Sequence, residues 1–419
     1  MIEQEKPMTK QVEVLDAIMG SGKTTSIIQW MDSNPCERYI YVSPLLSEVG
    51  AGGRIQSSLK NILMATPEDN GEGKAESMLE LLRTGANIAC THALYKLLTD
   101  AHFDEIESHG YVVIVDEELG LIEPFREYSI EDLRWLQNEG YIKSSEKDGM
   151  IEWLKHSPEI GKPTHKYHKI HQMCLSGCLY STKRSDTMVT VQLPSRLIEC
   201  AKRIIVLTYL FKGGVLEGFL KLKGFETVPF TEAVGLNIVS GKAIRELLVL
   251  TPPPKGVSHL HKKLTYSWYE TPDKGELDKI SNAIRSLAKK WGVDRDHLIY
   301  TFPKKRSVSG DGVGVKIKPK GLVFNSNGSP CWLAAQTRAT NNYAQITHII
   351  HAYSRHPNVA VVSYLQDFGV PVGADTFALS ELIQFLWRGC IRNGQPMHVC
   401  IFSSRMEKLL KNWLDSLPD

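Results

Sequence analysis

Two patterns alternate along the chain. Short runs of β-branched and aliphatic residues are bounded by polar turns. Between them lie longer stretches with apolar positions every three or four residues. The runs predict strands at 12–15, 39–42, 87–90, 111–115 and 203–207, and helical spacing occupies 75–83 and 92–98. This βαβ rhythm predicts an α/β fold with a mostly parallel sheet covered on both faces. Between 119 and 191 the rhythm breaks. That segment is charged, carries a helix-like piece at 129–138 and ends in an alternating run at 188–192. It reads as an insertion or small subdomain. The alternation then resumes, with strands predicted at 246–250, 264–268, 297–302, 348–351 and 398–402, and helices at 275–291, 377–392 and 405–417. A linker near 232–244 would divide the chain into a first domain, 1–240, and a second, 241–419.

Composition changes this picture little. A chain of 419 residues has room for two or three domains, and 42% hydrophobic residues suffice for their cores. The net charge is only +2, so a nucleic-acid partner would need a locally positive surface. The eight cysteines form no CxxC pair, and no signal-peptide pattern precedes them. A reduced, intracellular, cytoplasmic protein is expected. No apolar run approaches the ~18 residues that span a bilayer.

The chemistry concentrates at Asp16–Thr25, DAIMGSGKTT, between a strand pattern and a helix pattern. That context suits a phosphate-binding loop. Gly20 and Gly22 let the backbone curl, so that N–H groups from Gly20 to Thr25, Ser21 included, face phosphate oxygens at a helix N-terminus. Lys23 is placed to reach the β- and γ-phosphates, and Thr24 to hold Mg²⁺. The competing reading is an incidental glycine turn. The second motif is YVVIVDEEL, ending at Leu119, where an apolar strand runs into Asp116 and Glu117. Asp116 could hold Mg²⁺ through water, and Glu117 could orient an attacking water. Many strands end in a solvated acidic turn, which is the bland alternative.

The two motifs together resemble those of superfamily 2 helicases. Ala17–Thr24 is similar to motif I, with alanine in the first position, and DEEL at Asp116–Leu119 to motif II. YVSPLLSEV, with Ser43 and Pro44, resembles motif Ia, and CTHAL, with Thr91 and His92, sits where motif Ib or Ic would lie. VLTYLF, with Thr208 and Tyr209, is similar to motif III. LIYTFP, with Thr301, is similar to motif IV, and QFLWRGCIR to motif VI. WLAAQTRATNNY lies where motif V is expected, without the usual glycine. The style is closer to bacteriophage-encoded DEAD/DEAH-like helicases than to cellular DEAD-box proteins. Such a resemblance implies two tandem RecA-like domains with parallel sheets, an insertion in the first, and ATP and Mg²⁺ in the cleft. It also implies movement along a nucleic-acid strand, with single-stranded or forked DNA the expected partner. Replication or recombination proteins are possible further partners.

Four-residue spacing on a predicted helix would put Gln384, Arg388 and Arg392 on one face, where the arginines could stabilise γ-phosphate charge. The family spaces its arginines by three. Motif V would offer Arg338, Thr340 and Asn341 to a nucleic-acid phosphate, or they could cap a turn. A basic loop comes after motif IV, with Lys304, Lys305, Arg306, Lys316, Lys318 and Lys320; it is either a solvated face or a backbone-binding one. In the insertion, His165, His168, His171, Cys174 and Cys178 have suggestive zinc-ligand spacing, but would equally pack on one helix face. The rivals to an unwinding motor are a duplex translocase or branch-migration motor and, from another class, a P-loop kinase or nucleotide-sensing module.

Overall fold

The computed structural model describes residues 10–69, 71, 73–237, 239–310, 314–336 and 342–418; for 185–188 it describes the backbone alone. The chain is mixed α/β, built on two parallel sheets, and its contacts divide it into two units. The described residues of Met1–Ala17, Lys23–Gly235 and Pro357–Gly373 form the first, and those of Ile18–Gly22, Leu236–His356 and Ala374–Asp419 the second.

The strands of the first unit are β1 (Gln11–Asp16), β2 (Tyr39–Ser43), β3 (Met64–Ala65), β4 (Asn87–Thr91), β5 (Val112–Asp116), β6 (Ile122–Pro124), β7 (Ile142–Ser144), β8 (Ile151–Trp153), β9 (Leu179–Thr182), β10 (Ser185–Gln192), β11 (Arg203–Thr208) and β12 (Glu226–Pro229). Seven of them make one sheet in the order β12-β1-β11-β5-β2-β4-β3, every pairing parallel. Parallel strands are buried on both faces, which is why β2, β5 and β11 are near-continuous apolar runs. Their C-terminal ends lie along one edge, the usual ligand-binding edge of such sheets.

The insertion folds as its own layer. Strands β6, β10 and β9 form one antiparallel sheet, and β7 and β8 a hairpin. The helices Ile130–Asn138 and His168–Leu175 close a small core of Leu133, Leu136, Ile142, Ile151, Ile170, Cys174, Leu179 and Val189. Ser129 caps the first helix by accepting from Asp132 N–H, in a capping box.

The second unit holds β13 (Leu248–Leu250), β14 (Leu298–Thr301), β15 (His348–His351) and β16 (Met397–Ile401), parallel in the order β13-β16-β15-β14. Helix Lys274–Trp291 packs one apolar stripe on that sheet's core. Asp273 caps its start and Gly292, in the left-handed region, its end.

Three predicted elements of the second unit differ. The run 264–268 is not a strand. Leu264 takes φ 41°, and Thr265 caps a short helix, Tyr266–Glu270. The strand expected at 246–250 is only Leu248–Leu250, because helix Gly241–Leu247 takes its first residues. The helix expected at 377–392 is Ala374–Leu386 and stops there. Gly389 is extended, and a Cβ on it would stand 2.7 Å from Met397 Sδ and 2.8 Å from the Ile346 carbonyl oxygen. Cys390 N–H donates instead to that carbonyl, at 2.8 Å. A sheet contact therefore replaces the helical bond.

Helix Val359–Asp367, which comes after β15, belongs to the first unit. Val361, Tyr364, Leu365 and Val372 join the core of the large sheet. Tyr364 O–H donates to the Asp148 carbonyl, at 3.0 Å, and Arg184 pairs with buried Asp367, at 3.0 Å. Gly218 permits the approach, since a Cβ there would lie 3.1 Å from Leu365 Cδ1. No described helix is long and apolar enough to cross a membrane. Because Leu365 is fully buried, Leu365→Ala should destabilise the first unit by about 2–5 kcal/mol. Urea denaturation measures this; a loss below about 1 kcal/mol would mean that the segment is only loosely docked.

Candidate nucleotide-hydrolysis site

The turn between β1 and helix Lys23–Ser33 has the geometry its glycines allow. Gly20 takes φ 79° and Gly22 φ 86°, a region costly for any side chain. Ser21 is fully buried, and its Oγ has no hydrogen-bond partner among the described residues. That orphaned hydroxyl and the turn's glycines are groups suited to phosphate oxygens. Half-buried Lys23 comes next, its ammonium donating to the Ala17 carbonyl. Desolvation pulls its pKa down to about 8, against the opposing pull of Asp116, Asp16 and Glu117.

The acidic pair stands at the end of β5, two strands across from β1, with β11 between them. At ~4.8 Å per strand, this leaves a gap of about 10 Å between strand axes, which side chains must bridge. Thr24 O–H donates to Asp116 Oδ2, at 2.9 Å. Tyr41, from the middle of β2, donates its phenol proton to the same oxygen, at 2.6 Å. A hydroxyl and a carboxylate side by side are the hard oxygen donors that Mg²⁺ accepts, and this ion takes few protein ligands.

Glu117 takes φ 63°, a strained value for a side-chain-bearing residue, worth roughly 1–3 kcal/mol. The chain holds it there from both sides. Its N–H donates to the Leu207 carbonyl of β11, at 2.9 Å. The preceding carbonyl, that of Asp116, accepts from His92 Nε2–H, at 2.9 Å. The end of β11 is fastened too: Leu210 and Phe211 N–H donate to the two oxygens of Asp16, at 2.9 and 3.1 Å, and Thr208 O–H donates to Glu118 Oε1, at 3.3 Å.

Other sequence-predicted residues are distributed differently. Thr25 is exposed, and its hydroxyl accepts from Arg54 Nη2, at 3.1 Å. Among the residues expected on nucleic acid, Ser43, His92, Thr301 and Arg306 are buried, so their side chains are not offered to a strand. His92 instead braces the acidic turn. Arg306 donates to the carbonyls of Tyr269, Val315 and Glu270, at 2.7, 3.2 and 2.8 Å, so packing of the basic loop consumes it. Lys305 pairs with Glu270, at 2.6 Å, and Lys316 donates to two loop carbonyls. Pro44 and Thr91 are half-buried, and Thr91 caps the turn His92–Tyr95; Lys304, Lys318 and Lys320 are exposed. Arg338, Thr340 and Asn341 lie outside the described residues.

The shared helix face expected of Gln384, Arg388 and Arg392 is not formed, because the helix ends at Leu386. Gln384 donates to Ser380 Oγ, at 3.1 Å; Arg388 is buried, and Arg392 is half-exposed in a 3₁₀ turn. Within the second unit, a Cβ added at Gly20 would meet Arg392 Cβ and Trp387 Cδ1, each at 3.9 Å. In the insertion, Cys174 lies in the core and His171 meets Trp153 edge-on, at 4.7 Å. No group of three or more His, Cys, Asp or Glu suited to a metal occurs among the described residues.

Sequence patterns alone do not single out Tyr41, Asp16, Glu118 or Arg54. For Tyr41 a signal exists, since a tyrosine inside an apolar strand needs a partner for its hydroxyl.

Residues 242–414 match a family model described as the YonV C-terminal Rossmann-like domain. Across 97% of this chain and 99% of the relative, the sequence is 29% identical to the SPbeta prophage-derived uncharacterized protein YonV of Bacillus subtilis (strain 168). A structural comparison returns the Sulfolobus solfataricus SWI2/SNF2 ATPase core in complex with dsDNA, at 10% identity and a TM-score of 0.26, over 93% of this chain and 83% of that one.

The Lys23 environment carries a pH dependence. A bound phosphate stabilises the ammonium, so the lysine pKa rises from about 8 on binding. Affinity for a triphosphate should be full below pH 8 and fall by up to about tenfold per pH unit above it. Titration with a fluorescent nucleotide between pH 6.5 and 9.5 measures the slope. Lys23→Arg should flatten it; an unchanged slope in that variant would assign the titration to another group.

Proposed function

We propose that this chain is an ATP-hydrolysing motor that moves along nucleic acid, DNA being the expected strand, in the manner of superfamily 2 helicases. The observation that carries the reading is the Thr24–Asp116 hydrogen bond, which joins the start of helix Lys23–Ser33 to the acidic strand end. In this reading the turn Gly20–Thr25 and Lys23 hold the phosphates. Thr24 and Asp116 hold Mg²⁺, which when bound neutralises charge on the β- and γ-phosphates. Glu117, held by β11 and His92, orients the attacking water and accepts its proton. Arg392 is the better candidate for a cation facing the γ-phosphate. Its half-exposed position supports that role, whereas Arg388 is buried. The exposed Lys304, Lys318 and Lys320 would contact phosphates of the strand without reading sequence.

The second parallel sheet favours a motor over a P-loop kinase. A kinase needs one α/β core and a lid, and has no use for a further sheet of β13 to β16. Phosphate release by the purified full chain, with and without single-stranded oligonucleotides, tests the proposal. We expect single strands to stimulate turnover. Lys23→Ala should lower it at least about 100-fold, and Glu117→Gln should lose turnover while still binding strand in the presence of ATP. Arg392→Ala should reduce turnover more than Arg388→Ala relative to each variant's stability. Transfer of phosphate to a small acceptor, at a rate indifferent to nucleic acid, would overturn the motor reading; strand separation on forked substrates then divides a helicase from a duplex translocase.

A further inference from the structure

We infer that Tyr41 is a positioning residue for the metal side of this site, acting through Asp116; the inference rests on the motor reading of the site. The geometry is specific. Tyr41 is fully buried in β2, which pairs with β5 so that Tyr41 lies opposite Ile114. Its hydroxyl and that of Thr24 both donate to Asp116 Oδ2, at 2.6 and 2.9 Å. A carboxylate oxygen has two acceptor sites in its plane, and the two hydroxyls take both. Oδ1 is left as the oxygen that can face a metal-bound water. The Thr24 proton is committed to Asp116, so its lone pairs remain for the cation. Without the phenol the carboxylate could rotate, and this division of roles would no longer be set.

The alternative is that Tyr41 merely satisfies its own buried hydroxyl. The other fully buried tyrosines show the form that role takes. Seven tyrosines are among the largest fully buried side chains. Six of them, Tyr39, Tyr95, Tyr111, Tyr269, Tyr300 and Tyr364, donate to backbone carbonyl oxygens, at 2.6–3.1 Å. Backbone carbonyls are thus the ordinary partners of buried phenols here. Among the described residues, Tyr41 is the one of the seven whose hydroxyl meets a carboxylate, and that side chain belongs to the candidate site. Partners that orient a metal ligand commonly contribute about 10–100-fold in metal affinity.

The test is Tyr41→Phe, which removes one oxygen and keeps the ring. Tyr95→Phe serves as the control, since its hydroxyl meets the Leu197 carbonyl in the same unit. Two measurements are made: the Mg²⁺ concentration that half-saturates ATP turnover, and the Mg²⁺ dependence of fluorescent-nucleotide affinity, which needs no turnover. For Tyr41→Phe we expect half-saturation to rise at least about tenfold, excess Mg²⁺ to restore most of the rate, and metal-free nucleotide affinity to stay unchanged. Tyr95→Phe should shift none of these. If Tyr41→Phe keeps the parental Mg²⁺ dependence, or both variants lose activity only in proportion to lost stability, the inference is overturned while the motor reading stands. If the parental chain binds no Mg²⁺-nucleotide, the motor reading fails, and this inference with it.

Discussion

One carboxylate oxygen organises the candidate site. Asp116 Oδ2 accepts a proton from Thr24 on the glycine-turn helix and another from Tyr41 on β2, while the same residue's carbonyl accepts from His92. Four segments far apart in sequence therefore converge on a single residue. Parallel topology makes this possible, because β1, β2, β4 and β5 all end on the same edge of the sheet. Each bond to the charged oxygen contributes about 1.5–3 kcal/mol, comparable to the strain that the neighbouring glutamate carries.

That strain has a visible counterweight. Glu117 lies in the left-handed region, yet the peptide before it is held on its carbonyl side by His92 and on its N–H side by β11. Strand β11 is in turn tied to β1 through the two oxygens of Asp16 and to the acidic turn through Thr208 and Glu118. The strand between the glycine turn and the acids thus acts as a brace rather than a spacer. Side chains that look like surface chemistry in sequence are spent on such bracing. Arg306 obeys the same rule in the second unit, where three carbonyls take its guanidinium.

Most of the parallel framework is legible in the sequence. Strands buried on both faces must be apolar throughout, and β1, β2, β4, β5, β11, β14, β15 and β16 fall within one or two residues of the runs that predict them. The glycine turn's conformation and the strand-end place of the acids are equally legible, since glycine takes positive φ at little cost and a polar residue ends an apolar strand. The break after β5 also shows, because the insertion's antiparallel strands lack the βαβ rhythm. Less legible are elements whose pattern fits two periods. Leu264 to Trp268 alternates like a strand but winds into a helix, because Leu264 turns the chain and Thr265 caps the turn Tyr266–Glu270.

By itself, then, the sequence determined the sheet-and-helix alternation, the conformation of the glycine turn and the presence of two acids at the end of one strand. These are local matters, set by backbone sterics and by which side chains tolerate full burial. Tertiary structure decided the rest. It stopped the helix at Leu386, where a glycine must fit between Met397 and the Ile346 carbonyl. It buried Arg306 and Thr301, turned His92 toward a main-chain oxygen, and sent helix Val359–Asp367 onto the first unit's core. It also chose a carboxylate as the partner of Tyr41. Each outcome depends on which atoms distant segments bring within about 3 Å, and residue order along the chain does not encode that distance.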